Sequence, residues 1–210
     1  MISVSIADDH PLMREGIKKV LHNQIDFQVV GEASDGNEVL TILDDYLPDI
    51  LILEISISGK SGLDLIKQIH TLYPDLPILM HSIHPPERFA IRTLKAGAWG
   101  YLCKTSTSDH LITAIRKIVV QKRRYISPTV AEQLVLQIDH DNRPLHESLS
   151  NREFEIMCLI AAGKSAHDIA NKLSLSFHTV HTYRSRIKEK MNFNTNIEMA
   201  HYALENQLIN

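Results

Sequence analysis

Three carboxylates, a hydroxyl and an ammonium each stand at the end of a short apolar run in the first half of this 210-residue chain. Asp8 and Asp9 follow "ISVSIA", Glu54 follows "ILIL", Ser82 ends "ILMHS" and Lys104 follows "YLC". Like charges about 5 Å apart repel by roughly 3 kcal/mol at an effective dielectric near 20, so acids brought together need a cation. An oxygen-rich set favours a hard divalent ion such as Mg²⁺, and Lys104 is a second, built-in candidate. Taken singly each signal is weak. Asp8-Asp9 before "HP" is also a helix cap, a lone serine says little, and a lysine after a strand is ordinarily solvated. Their shared placement at the ends of apolar runs is what points to a site.

Those runs read as parallel strands near 2–7, 28–33, 49–54, 77–81 and 99–102. They alternate with amphipathic helices near 11–23, 36–46, 61–73, 86–96 and 107–120. The third run is apolar without alternation, as in a strand covered on both faces. Pro11 suits a first helical turn, while Ser61 with Asp64 and Ser106 with Asp109 have capping spacing. The pattern predicts a doubly wound α/β domain; in the flavodoxin-like strand order 2-1-3-4-5, expected here, the first and third strands are neighbours and bring the acids together. In such a sheet the crevice lies at the carboxyl ends of the strands, where all five residues fall.

The strand signal stops after residue 120. Residues 121–147 read as a polar linker with one short helix near 128–138, and residues 148–210 as a small all-α domain. Its four helices are expected near 151–162, 166–173, 176–191 and 195–206, with capping boxes at Ser150/Glu153 and Thr195/Glu198. Net charge is −3 overall, but the stretch from Lys172 to Lys190 carries five basic residues and one acid. The helix at 176–191 sets Val180, Ile187 and Met191 on one stripe. The opposite face carries His178, Thr182, Ser185 and Glu189. A rod of that size with polar tips and flanking cations suits the major groove.

"IADDHPLMREGI", "LILE", "ILMHS" and "GAWGYLCKTS" resemble the receiver domain of two-component response regulators. The resemblance implies that Asp8 and Asp9 hold Mg²⁺ together with the Ser56 backbone carbonyl and the acidic residue at position 54. It further implies that Ser82 and Lys104 contact phosphoryl oxygens, that Tyr101 is the aromatic that reorients on activation, and that the phosphoryl donor is a histidine kinase. One position departs: the family's acceptor is Asp, and Glu54 stands in its place, with Ile57-Ser58 where Met-Pro is usual. One added methylene moves the carboxylate outward, and a 1 Å misplacement can cost ~10²-fold in rate. Glu54 is therefore expected to be a poor acceptor that places negative charge partway to the phosphate position, giving a phosphomimetic, partly activated state. A natural receiver that does not use phosphate and an engineered phosphomimetic both fit.

"LSNREFEIMCLIAAGKSAHDIANKLSLSFHTVHTYRSRI" resembles the LuxR-type helix-turn-helix domain, as in NarL/FixJ-like regulators. By that resemblance His181, Thr182 and Ser185 face bases, while Thr179, Arg184, Arg186 and Lys190 lie near the DNA backbone. The family often has Lys at position 181. Histidine would make charge there pH-dependent, so affinity is expected to rise as pH falls through the mid-sixes. The implied partner is double-stranded DNA with inverted repeats, bound by a homodimer.

No run approaches the roughly 18 apolar residues of a membrane span. The start "MISVSIADDHP" lacks a signal-peptide pattern, and Cys103 and Cys158 read as buried thiols, so a cytoplasmic address is expected. No G-x-G-x-x-G follows the first strand and no P-loop occurs, which argues against a dinucleotide enzyme or NTPase. A protein-binding adaptor is the remaining alternative class.

Overall fold

The computed structural model describes residues 1–84, 86–128, 130–132 and 144–209, and divides into two compact units, Met1–Ala131 and Glu132–Asn210. In the first unit, β1 (Ile2–Ala7), α1 (Pro11–His22), β2 (Phe27–Ala33), α2 (Glu38–Asp45), β3 (Ile50–Leu53), α3 (Gly62–Leu72), β4 (Ile78–Ser82), α4 (Pro86–Ala96), β5 (Gly100–Cys103) and α5 (Ser108–Val119) alternate along the chain. The sheet is parallel throughout, in the order β2-β1-β3-β4-β5. β1, β3 and β4 are buried along their whole length, because helices cover both faces.

Three backbone hydrogen bonds extend the ladders just past the strand ends. The Asp8 N–H donates to the Ala33 carbonyl, the Glu54 N–H to the Ala7 carbonyl (2.9 Å), and the Lys104 N–H to the Ser82 carbonyl (2.7 Å). These bonds carry the register of a buried sheet into the crevice. Gly62 lets α3 start close behind: a Cβ there would meet the Ile55 carbonyl oxygen at 2.6 Å.

The elements fall within one or two residues of those expected, with small differences at the caps. Thr107, not Ser106, holds the N-cap position of α5 and makes no side-chain capping bond, while the Ser106 N–H donates to the Cys103 carbonyl in a turn. Ser61 does precede α3, but its side chain makes no capping bond. The packing of this unit also runs beyond residue 120. The Tyr125 N–H donates to the Trp99 carbonyl, and Tyr125 bridges to Gly100 at the sheet edge. The linker helix expected near 128–138 lies largely outside the described residues.

In the second unit a short 3₁₀ turn (Leu145–Ser148) leads into α6 (Asn151–Ala161), α7 (Ala166–Leu173), α8 (Phe177–Met191) and α9 (Asn196–Glu205). Ser150 and Glu153 form the expected capping box. A second box joins Ser165 with Asp168, Asp standing where Glu or Gln is usual. Thr195 caps α9, while Glu198 reaches back one residue further, to the Asn194 N–H. Phe154, Ile156, Met157, Ile169, Leu173, Val180, Ile187, Met191 and Met199 are buried as the core of this unit.

Phe154 is wholly buried, so Phe154→Ala should destabilise the helical unit by about 3–5 kcal/mol. That is enough to unfold a domain this small. Urea unfolding followed by helical circular dichroism, compared with wild type, checks the loss.

Candidate functional site

At the carboxyl end of the sheet, the Lys104 ammonium lies 2.6 Å from both Asp8 Oδ2 and Glu54 Oε2, with all three side chains 4% exposed or less. Each contact is worth roughly 6 kcal/mol gross at an effective dielectric near 20. Stripping water from each ion costs several kcal/mol, so the cluster holds because one ammonium serves two acids. Burial on its own would lower the Lys104 pKa. The Glu54 and Asp8 carboxylates outweigh it and hold the ammonium above its ordinary range.

The other Glu54 oxygen is equally engaged. Oε1 accepts from the Ser82 hydroxyl at 2.8 Å and from the Ser56 N–H at 3.0 Å. The extra methylene thus carries the carboxylate onto Ser82 and Lys104, the two side chains the sequence grouped with it. Over this arrangement His84 sits as a bridge: its Nε2 lies 3.1 Å from Ser56 Oγ and its N–H donates to Ser82 Oγ. Tyr101 is buried, and its hydroxyl donates to the His84 carbonyl at 2.9 Å.

Asp8 and Asp9 are positioned by the start of α1. The Asp8 Oδ1 accepts from the His10 N–H, the Asp8 carbonyl accepts from Arg14 Nη1, and Pro11 begins the helix. Asp9 Oδ2 accepts from Ser58 Oγ at 2.9 Å. Its Oδ1 is buried without a hydrogen-bond donor among the described residues, although His10 Nδ1 lies 2.9 Å away. The ligand atoms of Asp8, Asp9 and His10 lie within 4.8 Å of one another. A buried oxygen lacking a donor beside a second carboxylate is a setting that suits a divalent cation. Glu54 is not part of that group; its oxygens engage Lys104, Ser82 and the Ser56 N–H.

Sequence reasoning missed Arg14, His84 and His81. Arg14 and His84 lie one turn or a short loop from named residues, so proximity to "DDHP" and "HS" was the available signal. His81 is 5% exposed on β4 and its Nδ1 is without a partner among the described residues. Burial, aided by the Lys104 charge, pushes its pKa down to about 4.

In the second unit α8 exposes Phe177, His178, Thr182, Ser185 and Arg186, while His181, Thr179 and Arg184 are half-buried. The short break at Ser174–Ser176, with Ser174 left-handed (φ 52°), sets α7 and α8 as a helix-turn-helix pair. Thr182 and Ser185 donate to helix carbonyls one turn back, and Thr179 pairs with the Ser176 cap. Two cations expected at DNA are held within the domain. Lys190 pairs with the buried Glu153 at 2.7 Å, and Arg184 donates to His181 Nδ1 at 2.9 Å. Burial raises the Glu153 carboxyl, but Lys190 and the Ser150 donors prevail and hold it below its usual range.

Residues 4–116 match the response regulator receiver domain, and residues 147–203 match the luxR family of bacterial regulatory proteins. The chain belongs to the two-component response regulators, with a receiver followed by a LuxR-type DNA-binding domain. The response regulator GacA of Pseudomonas aeruginosa is 34% identical over 213 residues, covering 100% of this chain and 98% of its own. UvrY of Escherichia coli K12 is also 34% identical, over 100% of this chain and 97% of its own. The Salmonella typhimurium response regulator RcsB superposes with a TM-score of 0.71 at 26% identity, covering 97% of both chains. RcsB bound to promoter rprA in the presence of the phosphomimetic BeF₃⁻ gives 0.67 at 26%, covering 96% of this chain and 98% of that one. Among the described residues no helix is long and apolar enough to cross a membrane.

Two outcomes follow from the receiver site. Lys104→Met leaves two buried acids facing each other and should cost about 3–5 kcal/mol in urea unfolding, part of it restored by millimolar Mg²⁺. His81 is neutral when folded but protonates below its ordinary 6.5 when unfolded. Its contribution to stability is therefore present above pH 6.5 and lost as pH falls from there to about 4, on the order of 3 kcal/mol. Urea midpoints across that range should be flatter for His81→Leu than for wild type.

Proposed function

We propose that this response regulator is a DNA-binding transcription factor whose receiver is held in a phosphomimetic, partly activated state by Glu54, and does not depend on phosphorylation. The observation that carries this reading is the engagement of Glu54. Its carboxylate takes hydrogen bonds or ion pairs from Ser82, Lys104 and the Ser56 N–H, and by family resemblance Ser82 and Lys104 serve phosphoryl oxygens. The Ser82–Glu54 bond and the inward Tyr101, tied to the His84 carbonyl, agree with an on-like arrangement of the β4–α4 loop. A Mg²⁺ ion would be held by Asp8 and Asp9 with the Ser56 carbonyl. Glu54, already engaged, contributes to the field there and not to coordination. A histidine kinase remains the implied upstream partner of the fold, but in this chain its phosphoryl group lacks a well-placed acceptor.

The output is α8 in the major groove, with His181, Thr182 and Ser185 toward bases and Thr179 and Arg186 toward phosphates. α9 carries Ile197 (80% exposed) and Leu204 (54% exposed) seven residues apart. That spacing makes a seam on which a second copy would pack. A homodimer would then span half-sites one helical turn, about 34 Å, apart.

One carboxylate charge with two oxygens replaces a phosphoryl group of about −2 with three acceptor oxygens, and a full 1:99 to 99:1 shift takes about 5.5 kcal/mol of differential interaction. The activation is accordingly partial. Wild-type DNA affinity should be unchanged by acetyl phosphate with Mg²⁺. Glu54→Asp should bind roughly 10-fold more weakly without donor and recover with it. Donor-responsive binding in wild type contradicts the phosphomimetic reading, and sequence-independent binding in both chains favours the adaptor class. Separately, Ile197→Glu should lower affinity for an inverted repeat by at least 10-fold while leaving single half-site binding intact.

A further inference from the structure

His10 occupies the N-cap position of α1, where Ser, Thr, Asp or Asn would ordinarily close the helix. Its side chain makes no capping bond and is 66% exposed, so it neither holds the helix end nor fills the core. The ring turns back over the two acids instead. Nδ1 lies 2.9 Å from Asp9 Oδ1 and 3.3 Å from Asp8 Oδ1. The longer contact has hydrogen-bonding geometry. The shorter does not, and Asp9 Oδ1 is buried without a hydrogen-bond donor among the described residues. A close nitrogen–oxygen contact that no proton bridges is the relation between two ligands of one cation. Neighbouring ligands of an octahedral ion with bonds of about 2.1 Å lie about 3.0 Å apart, a spacing the two contacts bracket. The far oxygens of the acids are already taken, Asp8 Oδ2 by Lys104 and Asp9 Oδ2 by the Ser58 hydroxyl. Those outer partners orient the acids so that each presents Oδ1 to the ring.

We propose that His10 is a third side-chain ligand of the receiver's cation site, and that Asp8, Asp9 and His10 together favour a late first-row divalent ion over Mg²⁺. An all-oxygen set suits Mg²⁺, whereas imidazole suits the later first-row ions, whose affinity for such sites rises from Mn²⁺ towards Cu²⁺. His10 thereby sets which ion enters the pocket, on the reading that Asp8 and Asp9 hold a divalent cation.

The test titrates the full-length chain with Co²⁺ and, separately, with Mg²⁺, following heat of binding. The ratio of Co²⁺ to Mg²⁺ affinity should fall by about 10-fold or more in His10→Ala, through weaker Co²⁺ binding and with a much smaller effect on Mg²⁺. His10→Asn, which offers an amide oxygen and no ring nitrogen, should show the same lowered ratio. In the proton NMR spectrum of the Co²⁺-loaded wild type, an exchangeable imidazole N–H should appear shifted by the paramagnetic ion. That signal should vanish in His10→Ala, and also in Asp9→Asn, which ties it to this site and not to another histidine. An unchanged ratio in His10→Ala overturns the proposal. A rise in affinity for both ions in that variant also overturns it, and makes His10 an ion-pair partner that competes with the metal. Absence of saturable binding of either ion to wild type removes the cation reading of Asp8 and Asp9, and the proposal with it. Thermal melting of each variant without metal separates a folding defect from a lost ligand, and the exposed ring predicts melting close to wild type for His10→Ala.

Discussion

One ammonium shared by two buried carboxylates organises the receiver. Lys104 lies at hydrogen-bonding distance from Asp8 and Glu54, and its charge offsets the cost of burying both acids. The sheet exists, from the standpoint of this cluster, to bring three strand ends to one point. β1 supplies Asp8, β3 supplies Glu54, and β5 supplies the lysine. The ladder bonds that continue past each strand end fix their backbones. α1 adds the second constraint, because Pro11 and Arg14 pin the turn that aims Asp8 and Asp9 inward.

Within that frame the glutamate changes the pocket's logic. A shorter acid would leave its carboxylate nearer β3, with room above it for an incoming group. The longer side chain closes that gap itself, reaching the Ser82 hydroxyl and the lysine together. The His84 bridge to Ser56 then lies across the same opening, and Tyr101 locks the His84 carbonyl from below. On the phosphomimetic reading proposed above, charge that a phosphoryl group would deliver transiently is built in permanently, though as a single charge with two oxygens in place of about −2 and three oxygens.

The alternating apolar runs made the sheet order, the helix positions and the five residues at the strand ends legible in the sequence, because buried parallel strands admit few polar residues except where they end. The departure at Glu54 was legible too, since the resemblance to receiver domains implies Asp at that one position. Which groups its carboxylate touches was only partly so. Ser82 and Lys104 were named, but the Ser56 N–H it also accepts from depends on loop geometry that no periodicity encodes, as do the nearby placements of His84 and Arg14. On α8, position along the helix indicated which residues could face outward. It could not show that Lys190 pairs with Glu153, 37 residues away, or that Arg184 lies against His181. Those are choices made by packing, after the helix has formed.

The central claim is that Glu54 is a fixed charge that does not accept phosphate. The direct measurement is the intact mass of the full-length chain after incubation with acetyl phosphate and Mg²⁺, beside Glu54→Asp treated identically. The account predicts an unchanged mass for the wild-type chain and one added phosphoryl group for Glu54→Asp. A stoichiometric phosphoryl adduct on the wild-type chain would contradict it.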